Sequence, residues 1–161
     1  MDDNHCAGFH RNVAFVIWGA ETTRKGVADT RSVMLELGRP YKNGIGLVSV
    51  VPEDAQVPST DVRTALAGML RDVSGLVKCS ALVQEGTGFR AAAVRGVVTG
   101  LTLLARQSFP HHVFGSVGEA AGWMTTTLLP PDESAVVGRD ELVAALAEAR
   151  KTFDAQRRPV K

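Results

Sequence analysis

At 161 residues, with 45% hydrophobic and 22% charged side chains, the chain has the size and balance of one globular domain that can bury a core without disulfide or metal staples. A formal charge of +1 gives no global electrostatic footprint, which argues against non-specific nucleic-acid binding as its main task. The acidic start Met1-Asp2-Asp3-Asn4-His5 lacks the positive charge and apolar run of an export signal. The most apolar run, Ala91 to Leu104, is too short for a bilayer and carries Arg95, so a cytoplasmic protein without a membrane span is expected.

Residues 1–12 show no period and scatter Gly, His and Asn, the composition of a flexible lead-in. Val13 to Trp18 is a continuous apolar run closed by Gly19, the pattern of a strand covered on both faces. Thr22-Thr23 can cap a helix carrying Val27, Ala28, Val33, Met34, Leu35 and Leu37 and stopped by Gly38-Arg39-Pro40. Ile45 to Val51 is a second buried-type strand, and the loop from Pro52 to Pro58, with two prolines and two acids, belongs on the surface. Ser59-Thr60-Asp61 can cap the clearest amphipathic helix, whose positions Val62, Leu66, Met69, Leu70, Val73, Leu76 and Val77 keep close to the helical period.

A third strand, Ala81-Leu82-Val83-Gln84, leads through Gly86-Thr87-Gly88 into a helix rich in small residues. Pro110 to Ser116 reads as a short last strand, and Val117 to Leu129 as a helix ending before Pro130-Pro131. Beyond an acidic loop, Arg139 to Phe153 is strongly helical, with Leu142, Val143, Leu146, Ala147 and Ala149 largely on one side, so it packs on the domain or on a partner. Cys6 and Cys79 form no Cys-x-x-Cys pair and read as two free thiols.

Strands alternating with helices define an α/β domain with a small, mostly parallel sheet of four or five strands and flanking helices. The expected layout is a lead-in at 1–12, the α/β domain at 13–129, and a linker with an appended C-terminal helix at 130–161. Helices docked on one sheet face only would leave the other to an added strand, an oligomer contact or solvent.

The apolar strands Val13 to Trp18 and Gly46 to Val51, the helix carrying Arg63, the run Ala81-Leu82-Val83 into Gly88-Phe89-Arg90, and Val113-Phe114-Gly115-Ser116 into Glu119-Ala120-Ala121-Gly122-Trp123-Met124 together resemble the SpoIIAA-like, or STAS-like, domains of bacteria. The resemblance covers roughly Asn12 to Leu128. It implies a bacterial domain that binds partner proteins or small ligands without doing chemistry. The best-known members are switched by phosphorylation of a serine at a helix start, in an Asp-x-Ser-Gly context. The corresponding place here is Ser59-Thr60-Asp61-Val62, where that pattern is missing, so Ser59 and Thr60 are either phosphorylation sites or plain helix caps.

Gly86-Thr87-Gly88-Phe89-Arg90-Ala91 matches a dinucleotide fingerprint in form, but Glu85 puts a negative charge beside the would-be pyrophosphate and no acid follows at ribose distance. The glycines therefore read as a tight turn, and no cofactor is expected. Arg63, Arg90 and Arg95 begin or enter two helices and could converge on an anion or a partner, or remain solvated. His111 and His112 are adjacent on a strand and so face opposite sides; with no acid or cysteine at matching spacing, no metal site is expected. Ala92, Gly96 and Gly100 recur every four residues, forming a smooth stripe that is either buried within the domain or a homodimer face. No Gly-x-Ser-x-Gly motif anchors a hydrolase triad. The expected function is a non-enzymatic regulatory or protein-interaction module. A small-molecule or lipid binding domain with an apolar pocket between helices and sheet, and an enzyme of unrecognised type, are the alternatives.

Overall fold

A computed structural model describes residues 4–88, 92–97, 99–100, 108–128 and 137–157. In chain order the elements are β1 (His5–His10), β2 (Val13–Trp18), α1 (Arg24–Leu37), β3 (Ile45–Val51), α2 (Thr60–Asp72), β4 (Val77–Gln84), a helix α3 whose described residues are 92–97 and 99–100, β5 (His111–Phe114), α4 (Val117–Thr127) and α5 (Arg139–Arg157). The five strands lie side by side in the order β1-β2-β3-β4-β5; β1 is antiparallel to β2 and the rest are parallel. Three helices start on a hydroxyl that meets an otherwise unpaired amide of the first turn: Thr23 accepts from Gly26, Ser59 from Val62 and Ser116 from Glu119.

The mostly parallel α/β architecture is as expected, and each face of the sheet is covered by helices. On the first face, Ala14, Val16, Trp18, Leu47 and Leu82 meet Val27 and Met34 of α1, Val62 and Met69 of α2, and Val94 of α3. On the second, Phe15, Ile17, Val48, Val50, Ala81 and Val83 meet Ala120, Ala121 and Met124 of α4 and Leu142, Leu146 and Phe153 of α5. Burial on both sides is why β2 reads as an unbroken apolar run and β3 as one broken only at Ser49. Gly46 lets α4 come close: a Cβ there would sit 2.7 Å from Leu128 Cδ1 and 2.8 Å from Met124 Sδ.

Two expectations change. The stretch read as a flexible lead-in forms β1, paired residue for residue with β2 from His5↔Trp18 to His10↔Val13. Its two-residue turn is Arg11-Asn12 with Arg11 at φ 48°, a left-handed conformation that the sequence does not announce with glycine. Val77, read as the end of a helix, opens β4, because α2 stops at Asp72. Of the two placements expected for the C-terminal helix, the structure shows the first: α5 packs on the domain, across β1 and β2 and against α4. It is fastened at two places: Glu141 accepts from Arg11 Nε at 2.6 Å and lies 2.7 Å from His10 Nε2, and Arg150 donates to Glu85 at 2.8 Å.

Candidate functional site

Parallel register brings residues distant in sequence into single rows across the sheet. One row runs Ala14, Leu47, Ser80, His111, and the next runs Val16, Ser49, Leu82. Both face α1 to α3. Above them lies a cavity of about 90 Å³. Trp18, Leu47, Val51 and Leu82 form its floor, Leu66, Met69 and Leu70 of α2 one wall, and Val94 and Val97 of α3 the other. Thr22, Gln56 and Pro58 line it from the loops that follow β2 and β3, at the carboxyl ends of the strands, where open α/β sheets commonly take ligands. The Gln56 backbone N–H donates to Ala20 O at 2.8 Å and ties those two loops together. Gln56 is exposed and Thr22 and Pro58 half-buried, so this end reaches the surface. One water needs roughly 10–15 Å³, so the space suits several waters or a small organic molecule.

Ser49, Ser80 and His111 are the polar members of the sheet side of this cavity. Ser80 is 2% exposed, and its Oγ lies 3.0 Å from His111 Nδ1. His111 Nε2 is buried and bonds to nothing among the described residues. An unmet buried nitrogen costs roughly 1–3 kcal/mol, a penalty that a hydrogen-bonding ligand would relieve. Burial, with a smaller contribution from the charge of His112, pushes the His111 pKa down to about 4, so the ring is neutral near pH 7. The Cys79 thiol, on the opposite face of β4, is pushed up to about 12 by burial and is inert at neutral pH.

His111 and His112 do point to opposite faces: His111 lines the cavity, while the His112 ring lies tilted against that of Trp123 on α4, centroids 4.7 Å apart. Ser59 is the N-cap of α2, exposed, with its Oγ accepting from Val62 N at 3.4 Å. Thr60 Oγ1 accepts from Arg63 at 3.2 Å, so the Arg63 guanidinium turns back on its own helix. Arg95 is exposed on α3, no bond joins it to Arg63, and Arg90 lies outside the described residues. Gly86 and Gly88 adopt φ of +78° and +107°, the tight turn expected of them, and Glu85 is taken up by Arg150. Ala92, Gly96 and Gly100 are exposed, and nothing lies within 4 Å of a Cβ placed on either glycine. An all-round burial of α3 is therefore not found in its described part: Val94 is buried, Val97 half-buried, and the small-residue stripe looks outward.

The Ser80-His111 pair was not singled out by sequence reasoning. Its signal is nonetheless present, since Ser49 and Ser80 interrupt otherwise apolar strands at positions of one face. Comparison of the chain with protein-family models, curated protein sequences and solved structures finds no match.

Proposed function

We propose that this domain binds a small, mostly apolar molecule in the cavity between α2, α3 and the sheet, and that it works by binding rather than by chemistry. The observation that carries the reading is an apolar chamber that has the hydrogen-bonded Ser80-His111 pair in its wall. The experiment is a methyl NMR titration of the full chain with 2-chlorobutane and toluene. Saturable shifts confined to Leu66, Met69, Leu70, Leu82 and Val94 are expected. Absence of saturation with both probes, or shifts spread over both faces, would overturn the reading.

A second reading is the protein-interaction module that the SpoIIAA-like resemblance implies. It is favoured by the exposed stripe Ala92, Gly96, Gly100, a surface on which a helix of a second copy could lie closely. In that reading Ser59 or Thr60 is the phosphorylation switch, with Arg63 one turn along. Sedimentation should then show a dimer that Gly96→Arg disperses; a monomer at high concentration would remove the self-association.

A further inference from the structure

The cavity is built for one kind of occupant. Among the described residues that line it there is no Lys, Arg, Asp or Glu, so none of them would neutralise a charged ligand. Most of the wall is aliphatic, yet His111 contributes a ring whose Nδ1 is engaged by a nearly inaccessible Ser80 and whose Nε2 is buried without a partner among the described residues. Ser80 thereby holds the ring in place, and the bond at Nδ1 sets which role Nε2 can play. If the hydroxyl donates to Nδ1, Nε2 carries the proton and is a donor; if it accepts from Nδ1, Nε2 is an acceptor. A hydroxyl group on a ligand suits either case, because it can both donate and accept.

We infer that the ligand is a small neutral molecule with an apolar body and one hydroxyl-type hydrogen-bonding group, which pairs with His111 Nε2 while the body lies against Leu66, Met69 and Leu82. The inference rests on the reading of the cavity as a ligand site and names the chemistry that site selects. Ser80 is a positioning residue in this arrangement. The size of the chamber favours a handful of heavy atoms, since an apolar cavity that takes benzene is roughly 150 Å³. A larger molecule of the same class would extend past Gln56 through the end that reaches the surface.

The test uses 2-butanol and 2-chlorobutane, which differ in shape by little more than the exchange of hydroxyl for chlorine. Dissociation constants for both are measured by methyl NMR on the wild-type chain and on His111→Phe, alongside the imidazole ¹⁵N resonances of the wild type. The expected result is that the affinity ratio of alcohol to chloride falls about tenfold in His111→Phe, and that 2-butanol but not 2-chlorobutane shifts the Nε2 resonance. Should His111→Phe fail to fold, the Nε2 resonance of the wild type decides alone. An unchanged ratio, or an Nε2 resonance indifferent to the alcohol, overturns the inference while leaving the cavity a ligand site. Failure of both probes to bind overturns the inference and the ligand-site reading together.

Discussion

The two faces of the sheet are built from the same strands and alternate side chains, yet they are packed for different ends. The face under α4 and α5 is closely packed at its centre, where Met124 and Leu128 occupy the place of a side chain at Gly46; it opens at the β1 edge, in a groove of about 540 Å³ beside α5, and its long helix is pinned by Glu141 and Arg150. The face under α1 to α3 admits Ser49, Ser80 and His111 and leaves about 90 Å³ among them. Packing to the density of a molecular crystal is the default for a core. A chamber that keeps two hydroxyls and an imidazole on an apolar floor departs from that default. The buried Ser80-His111 pair is what makes the first face the place to look for binding.

Truncations should separate the faces most strongly. Leu142→Ala, at a position fully buried against the sheet, is expected to cost about 3–5 kcal/mol in urea denaturation. Leu66→Ala, half-buried beside the chamber, should cost about 2 kcal/mol or less, because its side chain already has free space on one side. Equal losses would break the comparison. A titration sharpens it. The His111 pKa is lowered from 6.5 to about 4, so the folded state binds fewer protons than the unfolded state between those values. Its contribution is therefore fully present above pH 6.5 and declines as pH falls toward 4, by on the order of 3 kcal/mol. The stability difference between wild type and His111→Phe should vary across that window and be flat above it.

Much of this architecture was legible in the sequence and the decisive part of the site was not. Val13 to Trp18 and Ile45 to Val51 announce themselves as doubly covered strands because every residue must tolerate burial. Thr23 and Ser59 announce helix starts because few side chains can satisfy free amides. β1 escapes notice because His5, Gly8 and His10 dilute its pattern and its turn is Arg11-Asn12, held left-handed at Arg11. The chamber escapes because a cavity is a property of side-chain volumes summed over elements far apart in the chain. Ser80 and His111 become partners only through the β4-β5 register, which no local spacing encodes.

Added volume provides a finer contrast. Ala81→Val enlarges a fully buried side chain on the face under α4 and α5, and overpacking there should cost about 1–3 kcal/mol. Ser49→Val places similar volume beside the chamber and should be close to neutral in stability while weakening the binding of 2-chlorobutane. A large loss of stability from Ser49→Val would mean that the chamber is less accommodating than its dimensions indicate.

The smallest expected effect concerns the clamp on α5. Glu141 is exposed, but its bonds to Arg11 first and His10 second lower its pKa from 4.5 to about 2. A carboxylate depressed in the folded state adds stability that is complete above the unfolded value and is lost as pH falls through the folded one. The clamp should thus release between about pH 4.5 and 2, below most of the window in which His111 titrates. Glu141→Gln removes that dependence, so the stability curves of wild type and variant should converge as pH approaches 2. Because the group is exposed, the gap above pH 4.5 should also shrink in high salt. Amide exchange in β1 and at the start of α5 is the sensitive readout, since a local release frays those segments before the sheet opens. If exchange rises first around α2 and β5 in that low-pH window, the face that yields to acid is the one with the chamber, and α5 is held by its apolar contacts with Phe15 and Ile17 rather than by its ion pairs.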